Sequence, residues 1–233
     1  MKTIAIMQPY FLPYIGYWQL MSSVDLFIVY DNIQYTKKGW FNRNQILMNG
    51  KPLMFTIPLQ KDSDYLDVCQ RSVVSDTKPR IKILNQIKNA YSKAPMFSET
   101  YPFIQQLFEL SDNNLFEFIY NSILKIKEKF NIKTKIIKSS SVDIDHSLKS
   151  QDKVIALCKA VNADCYINMI NGAKLYSIED FNKAGLKLSF LKQYIKEYKQ
   201  FNNDFVPYLS ILDVIMFNNK QIIIDMMNEC ILQ

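Results

Sequence analysis

The sequence is poor in two residue types on which many enzymes depend, since it has one histidine and five glycines in 233 residues. A single histidine excludes mechanisms that need two. Five glycines leave no glycine-rich phosphate loop, and the motifs G-x-G-x-x-G, G-x-x-x-x-G-K-[ST] and G-x-S-x-G are absent. No pair of a nucleophile and a general base can be recognised in the sequence. A mechanism therefore has to be sought among hydrogen-bonding and electrostatic groups.

Cysteines are also few, and none of the four forms a C-x-x-C pair. With one histidine beside them, the sequence favours reduced thiols over a zinc site, and we predict no metal. That histidine, His146, stands in the polar stretch SSSVDIDHSLKSQD, which is typical of a loop. We therefore expect His146 to be exposed.

Long apolar runs are missing as well. No stretch approaches the roughly 18 uncharged apolar residues that span a bilayer, and the chain enters a predicted strand without the basic and apolar regions of a signal peptide. We therefore expect a cytoplasmic protein with no membrane span. The net charge of +6 comes from dispersed lysines with few arginines, a pattern that favours an anionic substrate over nucleic acid as a partner.

Short apolar runs that alternate with helical patterns predict a buried, mostly parallel sheet. The pair Asn49-Gly50, between β-rich flanks, predicts a hairpin, and apolar residues at helical spacing fill 78–130. The predicted fold is α/β and Rossmann-like, with a hairpin and a helical insertion, in a single domain over 1–233 with a helical subdomain near 78–130. The predicted strands are 3–8, 25–30, 133–140, 164–168 and 186–192, and the other predicted helices are 13–22, 151–161, 178–184 and one or two within 209–231.

The stretch IAIMQPYFLPYIGY, residues 4–17, contains the first candidate site. An apolar strand ends at Gln8-Pro9, and a helix is predicted to begin near Pro13. In α/β folds, ligands collect at the carboxyl ends of strands and beside helix N-termini. The alternative is a proline-punctuated turn whose tyrosines pack into the core. The residues predicted at the ligand position are Gln8, Tyr10, Tyr14, Gly16 and Tyr17.

The second candidate site follows the strand DLFIVY and combines a carboxylate, amides, a guanidinium and an indole. The planar fork of Arg43 suits a phosphate or carboxylate, and Trp40 can stack on a base or sugar ring. The alternative is a structural loop in which Arg43 pairs with Asp31 while Trp40 anchors the hairpin. The candidate residues are Asp31, Gln34, Trp40, Asn42, Arg43 and Asn44.

Three later segments add further candidates. Ser140, within a run of three serines after the strand KTKIIK, can help to hold an anion, and Gly172 and Tyr176 follow the strand that ends near Asn168. Around an aromatic stretch near the C-terminus, the candidates are Gln200, Ser210 and Asp213. If 209–217 is helical, the last two share a face; the alternative is helix capping, with the serine as N-cap and the aspartate at N3.

Taken together, these blocks resemble the WbqC-like protein family. The resemblance is carried in order by QPYFLPYIGY, D-x-x-Q-Y with W-x-N-R-N, NGAKLY, and Y-x-Q with F-x-P-x-LSILD, and it extends to about Asn218. It implies a role in bacterial O-antigen and other surface-polysaccharide biosynthesis. One departure is Asn168-Met169, where many relatives carry Ser-Gly. The matching residues are Gln8, Pro9, Tyr10, Pro13, Gly16, Tyr17, Asp31, Gln34, Trp40, Asn42, Arg43, Asn44, Ser140, Gly172, Tyr176, Gln200, Ser210 and Asp213.

A second resemblance concerns the segment Tyr14-Ile15-Gly16-Tyr17. It is similar in position to the H-x-G-H motif of nucleotidylyltransferases and pantothenate synthetase, whose histidines hold the phosphates of the nucleotide. Tyrosine keeps a hydrogen-bond donor but removes the cation. The resemblance implies a related fold with lost or altered adenylyl transfer.

The leading hypothesis is an enzyme that transfers an acyl or aminoacyl group to the amine of a nucleotide-linked amino sugar. Arg43 would hold the diphosphate and Trp40 the base or ring. No cofactor is expected to be bound permanently; the co-substrate would be an acyl thioester, from coenzyme A or an acyl carrier, or ATP. The catalytic candidates are Asp31 and Asp213, as acceptors of the amine proton, and Tyr17, as an oxyanion donor together with Tyr10, Asn42 or Asn44.

Two other hypotheses stay open. One is an ATP-dependent carboxylate–amine ligase with a nucleotidyltransferase-like fold. The other is a non-catalytic binding or assembly protein of the same pathway, which the lack of a legible triad favours. The polar groups at predicted strand ends favour an enzyme.

Overall fold

The computed structural model describes residues 1–109 and 112–233. Its strands are β1 (Thr3–Met7), β2 (Leu26–Val29), β3 (Arg43–Met48), β4 (Lys51–Thr56), β5 (Lys135–Lys138), β6 (Cys165–Met169), β7 (Lys187–Gln193) and β8 (Cys230–Leu232). Six of them form one sheet in the order β5-β2-β1-β6-β7-β8, and β3 and β4 form a separate hairpin. The predicted α/β class, with a mostly parallel sheet and a hairpin, is confirmed.

The order of the strands reverses beside β1. The chain passes from β1 through β2 to β5, then returns to the other side of β1 with β6 and continues to β7. These five strands pair in parallel, and β8 is antiparallel to β7 at the sheet edge. In doubly wound folds, such a reversal opens a crevice at the carboxyl ends of the strands, where ligands bind.

Helices cover both faces of the sheet. The described residues contain α1 (Ile15–Ser22), α2 (Lys78–Tyr91), α3 (Phe97–Phe108), α4 (Leu115–Lys129), α5 (Ser150–Ala160), α6 (Ile178–Lys183), α7 (Ile211–Phe217) and α8 (Lys220–Asn228). Side chains alternate along each strand, so Ile4 and Ile6 pack with α5 and α6, whereas Ala5 packs with α1 in the larger core on the opposite face. The sheet is therefore buried on both sides, as its continuous apolar strands predict.

The hairpin of β3 and β4 packs on the α1 face through Ile46 and Leu47. Its turn is Asn49-Gly50, with φ angles of 51° and 73°. Two consecutive positive φ angles define a type I′ turn, whose twist matches that of the flanking strands. The predicted hairpin and its turn are confirmed.

The insertion between the hairpin and β5 is helical, as predicted, and consists of α2, α3 and α4. Residues 110–111, within the predicted range 78–130, lie outside the described residues. The first of these helices contacts β3, and α3 contacts α7. The insertion therefore joins the hairpin to the C-terminal helices.

The C-terminal tail differs from its prediction at one point. Helices α7 and α8 were predicted, but β8 was not. Gln193 lies opposite Cys230 in the antiparallel register, and Phe190 exchanges backbone hydrogen bonds of 2.8 and 2.9 Å with Gln233. This three-residue strand is too short to show an alternation of apolar and polar residues. It is a strand only because it pairs with β7.

Candidate functional site

Six of the predicted site residues follow the carboxyl ends of strands in the sheet. Gln8 and Tyr10 follow β1, Asp31 follows β2, and Ser140 follows β5. Gly172 and Tyr176 follow β6 on the other side of the reversal. Parallel strands bring these distant segments to one edge, which is the expected ligand position in this fold.

A carboxylate held by serines forms the centre of this edge. Ser139 Oγ donates to Asp31 Oδ1 at 2.7 Å, and the Ser140 backbone N–H donates to the same oxygen at 2.9 Å. The Ser140 hydroxyl donates to Asp31 Oδ2. We call Asp31, Ser139 and Ser140 the aspartate cluster; it joins the ends of β2 and β5.

The aspartate cluster keeps Asp31 ionised without a cation. Asp31 is 5% exposed, and burial acts to raise the pKa of its carboxyl group, but hydrogen bonds from Ser140 and Ser139 favour the charged form more strongly and hold the pKa below its ordinary value. Among the described residues, no lysine or arginine lies within ion-pair distance of Asp31. Arg43 therefore does not pair with Asp31, contrary to the structural alternative for that loop.

The surroundings of the aspartate cluster are acidic and aromatic. Lys138 pairs with Glu117 and lies 5.3 Å from the centre of the Tyr120 ring. Burial and the negative charges of Glu117 and Asp31 raise the pKa of Tyr120. Burial, followed by the charge of Asp31, likewise raises the pKa of the Cys69 thiol. The free thiol beside Asp31 is therefore held in its protonated form.

A hydrogen-bonded group of side chains joins β6 to the segment that follows it. Asn168 Nδ2 donates to the Tyr166 hydroxyl at 2.7 Å and to the Tyr176 hydroxyl at 3.0 Å. Gly172 lies against the Asn168 side chain, since an added Cβ would meet Asn168 Oδ1 at 3.2 Å. Asn168 thus fills this wall of the edge.

On the α5 face, Asn32 joins the aspartate cluster to two further side chains. Asn32 Oδ1 accepts from Lys153 Nζ at 3.2 Å and lies 2.8 Å from Ser139 Oγ, whose single proton it shares with Asp31 Oδ1. Its Nδ2 is 2.9 Å from His146 Nδ1, and His146 Nε2 is 3.0 Å from the Val142 carbonyl oxygen. The prediction that His146 is exposed is wrong, because these two bonds hold the ring half-buried.

On the α1 face, aromatic side chains form a partly exposed surface. The rings of Tyr10 and Trp40 lie 5.9 Å apart, and those of Tyr14 and Tyr208 lie 6.1 Å apart. Trp40 is 42% exposed, and the Arg43 guanidinium lies 5.2 Å from its ring centre while donating to the Lys38 carbonyl oxygen. We call Tyr10, Tyr14, Trp40 and Tyr208 the aromatic patch.

Gly16 allows the Tyr14 ring to lie on the first turn of α1. A Cβ at position 16 would meet Tyr14 Cε2 at 2.5 Å, which is shorter than any normal contact. We expect Gly16→Ala to destabilise the wild-type protein by roughly 1 kcal/mol, since displacing the ring outweighs the better helix propensity of alanine. In a Tyr14→Ala background the same change should stabilise it. Urea unfolding of all four proteins measures both effects, and the same sign in both backgrounds would contradict this account.

Tyr17 and Gln8 occupy contrasting environments. Tyr17 is 1% exposed, and its hydroxyl donates to the Gln8 carbonyl oxygen at 3.4 Å. Burial raises the pKa of Tyr17 far above its ordinary value. Gln8 itself is exposed, as is Gln34, whose Nε2 donates to the Asp64 carbonyl oxygen. The packed position of Tyr17 differs from an open phosphate-binding motif of the H-x-G-H kind.

Asn42, Asn44 and Ser210 use their side chains within the fold. Asn42 Nδ2 donates to the Ile57 carbonyl oxygen at 2.7 Å. Asn44 Nδ2 and Ser210 Oγ both donate to the carbonyl oxygen of Leu12, whose φ of 52° is unusual for a leucine. These bonds hold the loop after β1 in the conformation that presents Tyr10 and Tyr14.

Asp213 lies in a closed hydrogen-bonded group. Its carboxylate is 0% exposed and accepts from the Tyr91 hydroxyl at 2.8 Å, the Tyr198 hydroxyl at 2.6 Å and Gln200 Nε2 at 2.6 Å. Burial raises the pKa of Asp213, although the three bonds act in the opposite direction. Ser210 is the N-cap of α7, as the capping alternative predicts, but Asp213 ties α7 to α2 and to the preceding loop instead of reaching back to the cap.

Comparison with known proteins identifies the family. The model of the WbqC-like protein family matches residues 8–224. The chain belongs to the WbqC-like family. The chain is also similar to "Uncharacterized protein Rv1507c" of Mycobacterium tuberculosis (strain ATCC 25618 / H37Rv), which is 25% identical over 220 residues, with 94% of each chain covered. No solved structure matches this WbqC-like protein.

Three residues at the edge of this WbqC-like protein were not among the predicted site residues. Asn32 directly follows Asp31, so its position at a strand end could have identified it as a site residue. Lys153 stands among the buried positions Val154 and Leu157 of α5, and a lysine in an apolar stripe signals a special environment. His146 gave no local signal, because its contacts come from residues far away in sequence.

Other features of the described chain lie apart from this edge. A cavity of about 390 Å³ opens at the amino ends of β2 and β5, between Asp25, Phe130 and Met227. Within residues 1–109 and 112–233, no group of three metal-ligating side chains is placed to hold a metal ion. The same residues contain no helix with the length and apolar character needed to cross a membrane.

Proposed function

We propose that this protein acts in polysaccharide-related biosynthesis and transfers an acyl or aminoacyl group from a thioester to the amine of a nucleotide-linked amino sugar. The observation that supports this most is the state of Asp31. It is an ionised carboxylate at the carboxyl edge of the sheet, held by neutral donors and without a cation of its own. Such a group is suited to hold a substrate amine and to take its proton.

In this proposal, Asp31 first binds and orients the amine of the sugar. The amine nitrogen attacks the thioester carbonyl carbon, the N–C bond forms, and a tetrahedral oxyanion develops. The nitrogen passes its proton to Asp31, the C–S bond breaks, and the proton leaves with the thiolate. The low pKa of Asp31 suits this role because the nitrogen becomes strongly acidic as it bonds to carbon.

The aromatic patch would receive the nucleotide or sugar. Trp40 offers an exposed indole face for stacking, and Tyr10 lies beside it. Of the proposed oxyanion donors, we retain Tyr10, because among the described residues its hydroxyl makes only a long bond of 3.4 Å, to Asn44 Oδ1. The amide groups of Asn42 and Asn44 donate to backbone carbonyl oxygens at 2.7 and 3.0 Å. The Arg43 guanidinium lies over the Trp40 ring and supports it.

Asp213 and Tyr17 have supporting roles in this proposal. Both side chains are buried and hydrogen-bonded within the fold. Asp213 fixes the loop that carries Tyr208, and Tyr17 fixes the backbone at Gln8. Asp31 is then the catalytic carboxylate.

The test is a turnover assay with mass detection. The purified protein is incubated with UDP- and dTDP-linked amino sugars and a panel of acyl thioesters, and the N-acylated product is expected. Carboxylate-dependent ATP–pyrophosphate exchange, without thioester turnover, would favour the ligase hypothesis. Tight binding of a sugar nucleotide with neither reaction would favour the non-catalytic hypothesis. Either result would overturn acyl transfer from a thioester.

A further inference from the structure

Lys153 is a buried cation without an acidic partner. It lies on the first half of α5, is 8% exposed, and has no aspartate or glutamate within ion-pair distance among the described residues. Lysine is almost never buried to this degree unless it is paired. An unpaired charge in such a place is costly, so its retention calls for an anion that the chain itself does not supply.

The bonds of Lys153 leave part of its ammonium group free. Nζ is 3.3 Å from the Asn32 carbonyl oxygen and 3.2 Å from Asn32 Oδ1. An ammonium group has three N–H donors, and both of these acceptors belong to one neutral residue. One N–H donor therefore remains for a ligand, and no acidic side chain of the described residues neutralises the charge.

The ring of Tyr30, whose hydroxyl group is a second donor, lies next to Lys153. Nζ is 5.6 Å from the centre of the Tyr30 ring, and Tyr30 directly precedes Asp31 at the end of β2. Burial and the nearby Tyr176 raise the pKa of the Tyr30 hydroxyl, which stays protonated. In the described part of the chain, that hydroxyl has no hydrogen-bond partner.

The position of Asn32 explains how Lys153 is held. His146 bonds the Asn32 amide on one side and Ser139 bonds it on the other. Asn32 therefore has a fixed orientation and presents its two oxygens to Nζ. The same residue separates Lys153 from the aspartate cluster, so the cation and the carboxylate do not neutralise each other directly.

We propose that Lys153 and Tyr30 form an oxyanion site that takes a phosphate group, which in the natural ligand is one phosphate of a nucleoside diphosphate. A compact ammonium with a neighbouring hydroxyl is a suitable phosphate binder. The identity of the natural ligand rests on the proposed function. The site replaces Arg43 as the holder of the diphosphate, since the Arg43 guanidinium is stacked on Trp40 and bonded to a backbone carbonyl.

The test is calorimetric titration with pyrophosphate at fixed ionic strength, with malonate as a dicarboxylate probe. We expect pyrophosphate to bind the wild type, and Lys153→Met to weaken this binding at least tenfold. Tyr30→Phe should weaken it severalfold and keeps the lysine intact. The matched control is Lys159→Met, an exposed lysine on the same helix, which should bind as the wild type does. Tighter binding of malonate than of pyrophosphate would overturn the phosphate assignment.

A second readout does not depend on any ligand. If Lys153 is kept for an anion, Lys153→Met without ligand should melt at or above the wild-type temperature, because it removes an unpaired buried charge. A lower melting temperature together with unchanged pyrophosphate affinity would assign Lys153 a structural role and overturn the proposal. If pyrophosphate binding depends on Lys153 but no acyl transfer is found, the oxyanion site is supported and the proposed reaction is excluded.

Discussion

Asp31→Asn should lower kcat/KM for acyl transfer by about 10²- to 10⁴-fold, the usual contribution of a positioned acid–base side chain. Asparagine keeps the size of aspartate and one of its acceptor oxygens. It carries no charge to hold an amine and takes up no proton when the nitrogen attacks. The measurement is steady-state kinetics with a sugar nucleotide for which the proposed acylation by the wild type is detected.

The control for this variant is Asp204→Asn, an exposed aspartate whose loss should leave kcat/KM unchanged. Asp31→Asn also removes an acceptor from Ser139 or Ser140, which costs about 1–3 kcal/mol of stability. Circular dichroism at the assay temperature therefore has to show that the variant is folded. A folded Asp31→Asn protein with wild-type kcat/KM would exclude Asp31 from catalysis.

Two neighbouring serines allow a test of whether the ionised state of Asp31, and not only its presence, matters for the reaction. The Ser140 hydroxyl bonds the Asp31 carboxylate, whereas the Ser141 hydroxyl bonds the Lys138 carbonyl oxygen. Ser140→Ala removes a bond that favours the charged form, so the pKa of Asp31 should rise. The acid limb of the pH–rate profile should then move to higher pH, and Ser141→Ala should leave it in place.

The fold could be predicted well where local sequence determines local structure. The apolar runs at Ile4 and Leu26 are buried strands because both of their faces are covered, and Asn49-Gly50 forms a hairpin turn because both residues tolerate positive φ. The edge strand at Cys230 could not be predicted in this way. Its conformation depends on a partner strand far away along the chain, and three residues carry no periodicity.

The candidate site was predicted by position more reliably than by role. Asp31 was identifiable because a polar residue directly follows a buried strand. Asn44 was equally conspicuous by its residue type, but its amide points into the fold and holds Leu12. Lys153 was missed because its importance comes from the lack of a partner, and a sequence does not show which side chains meet. Where a side chain points and which groups it contacts are determined by the tertiary fold.

Asp213→Ala should lower the free energy of unfolding by roughly 3 kcal/mol. The change leaves three buried donors, on Tyr91, Tyr198 and Gln200, without their acceptor. Each unsatisfied buried donor costs about 1–3 kcal/mol, and removal of a carboxylate whose burial is itself unfavourable returns part of this. Urea unfolding at pH 7 measures the difference, with Asp204→Ala as the exposed control. A difference as small as that of the control would contradict the anchoring role of Asp213.

The pH dependence of that difference tests the state of the carboxylate. Burial raises the pKa of Asp213 above its unfolded value of roughly 3.9, so the folded protein takes up a proton before the unfolded chain does as the pH falls. Proton uptake by the folded state favours folding. The stability gap between the wild type and Asp213→Ala should therefore widen as the pH is lowered from 7 towards about 4. Asp31, whose lowered pKa acts in the opposite direction, is present in both proteins and cancels. A gap that narrows over this range would mean that the three hydrogen bonds outweigh burial and that Asp213 is held as a stabilised anion.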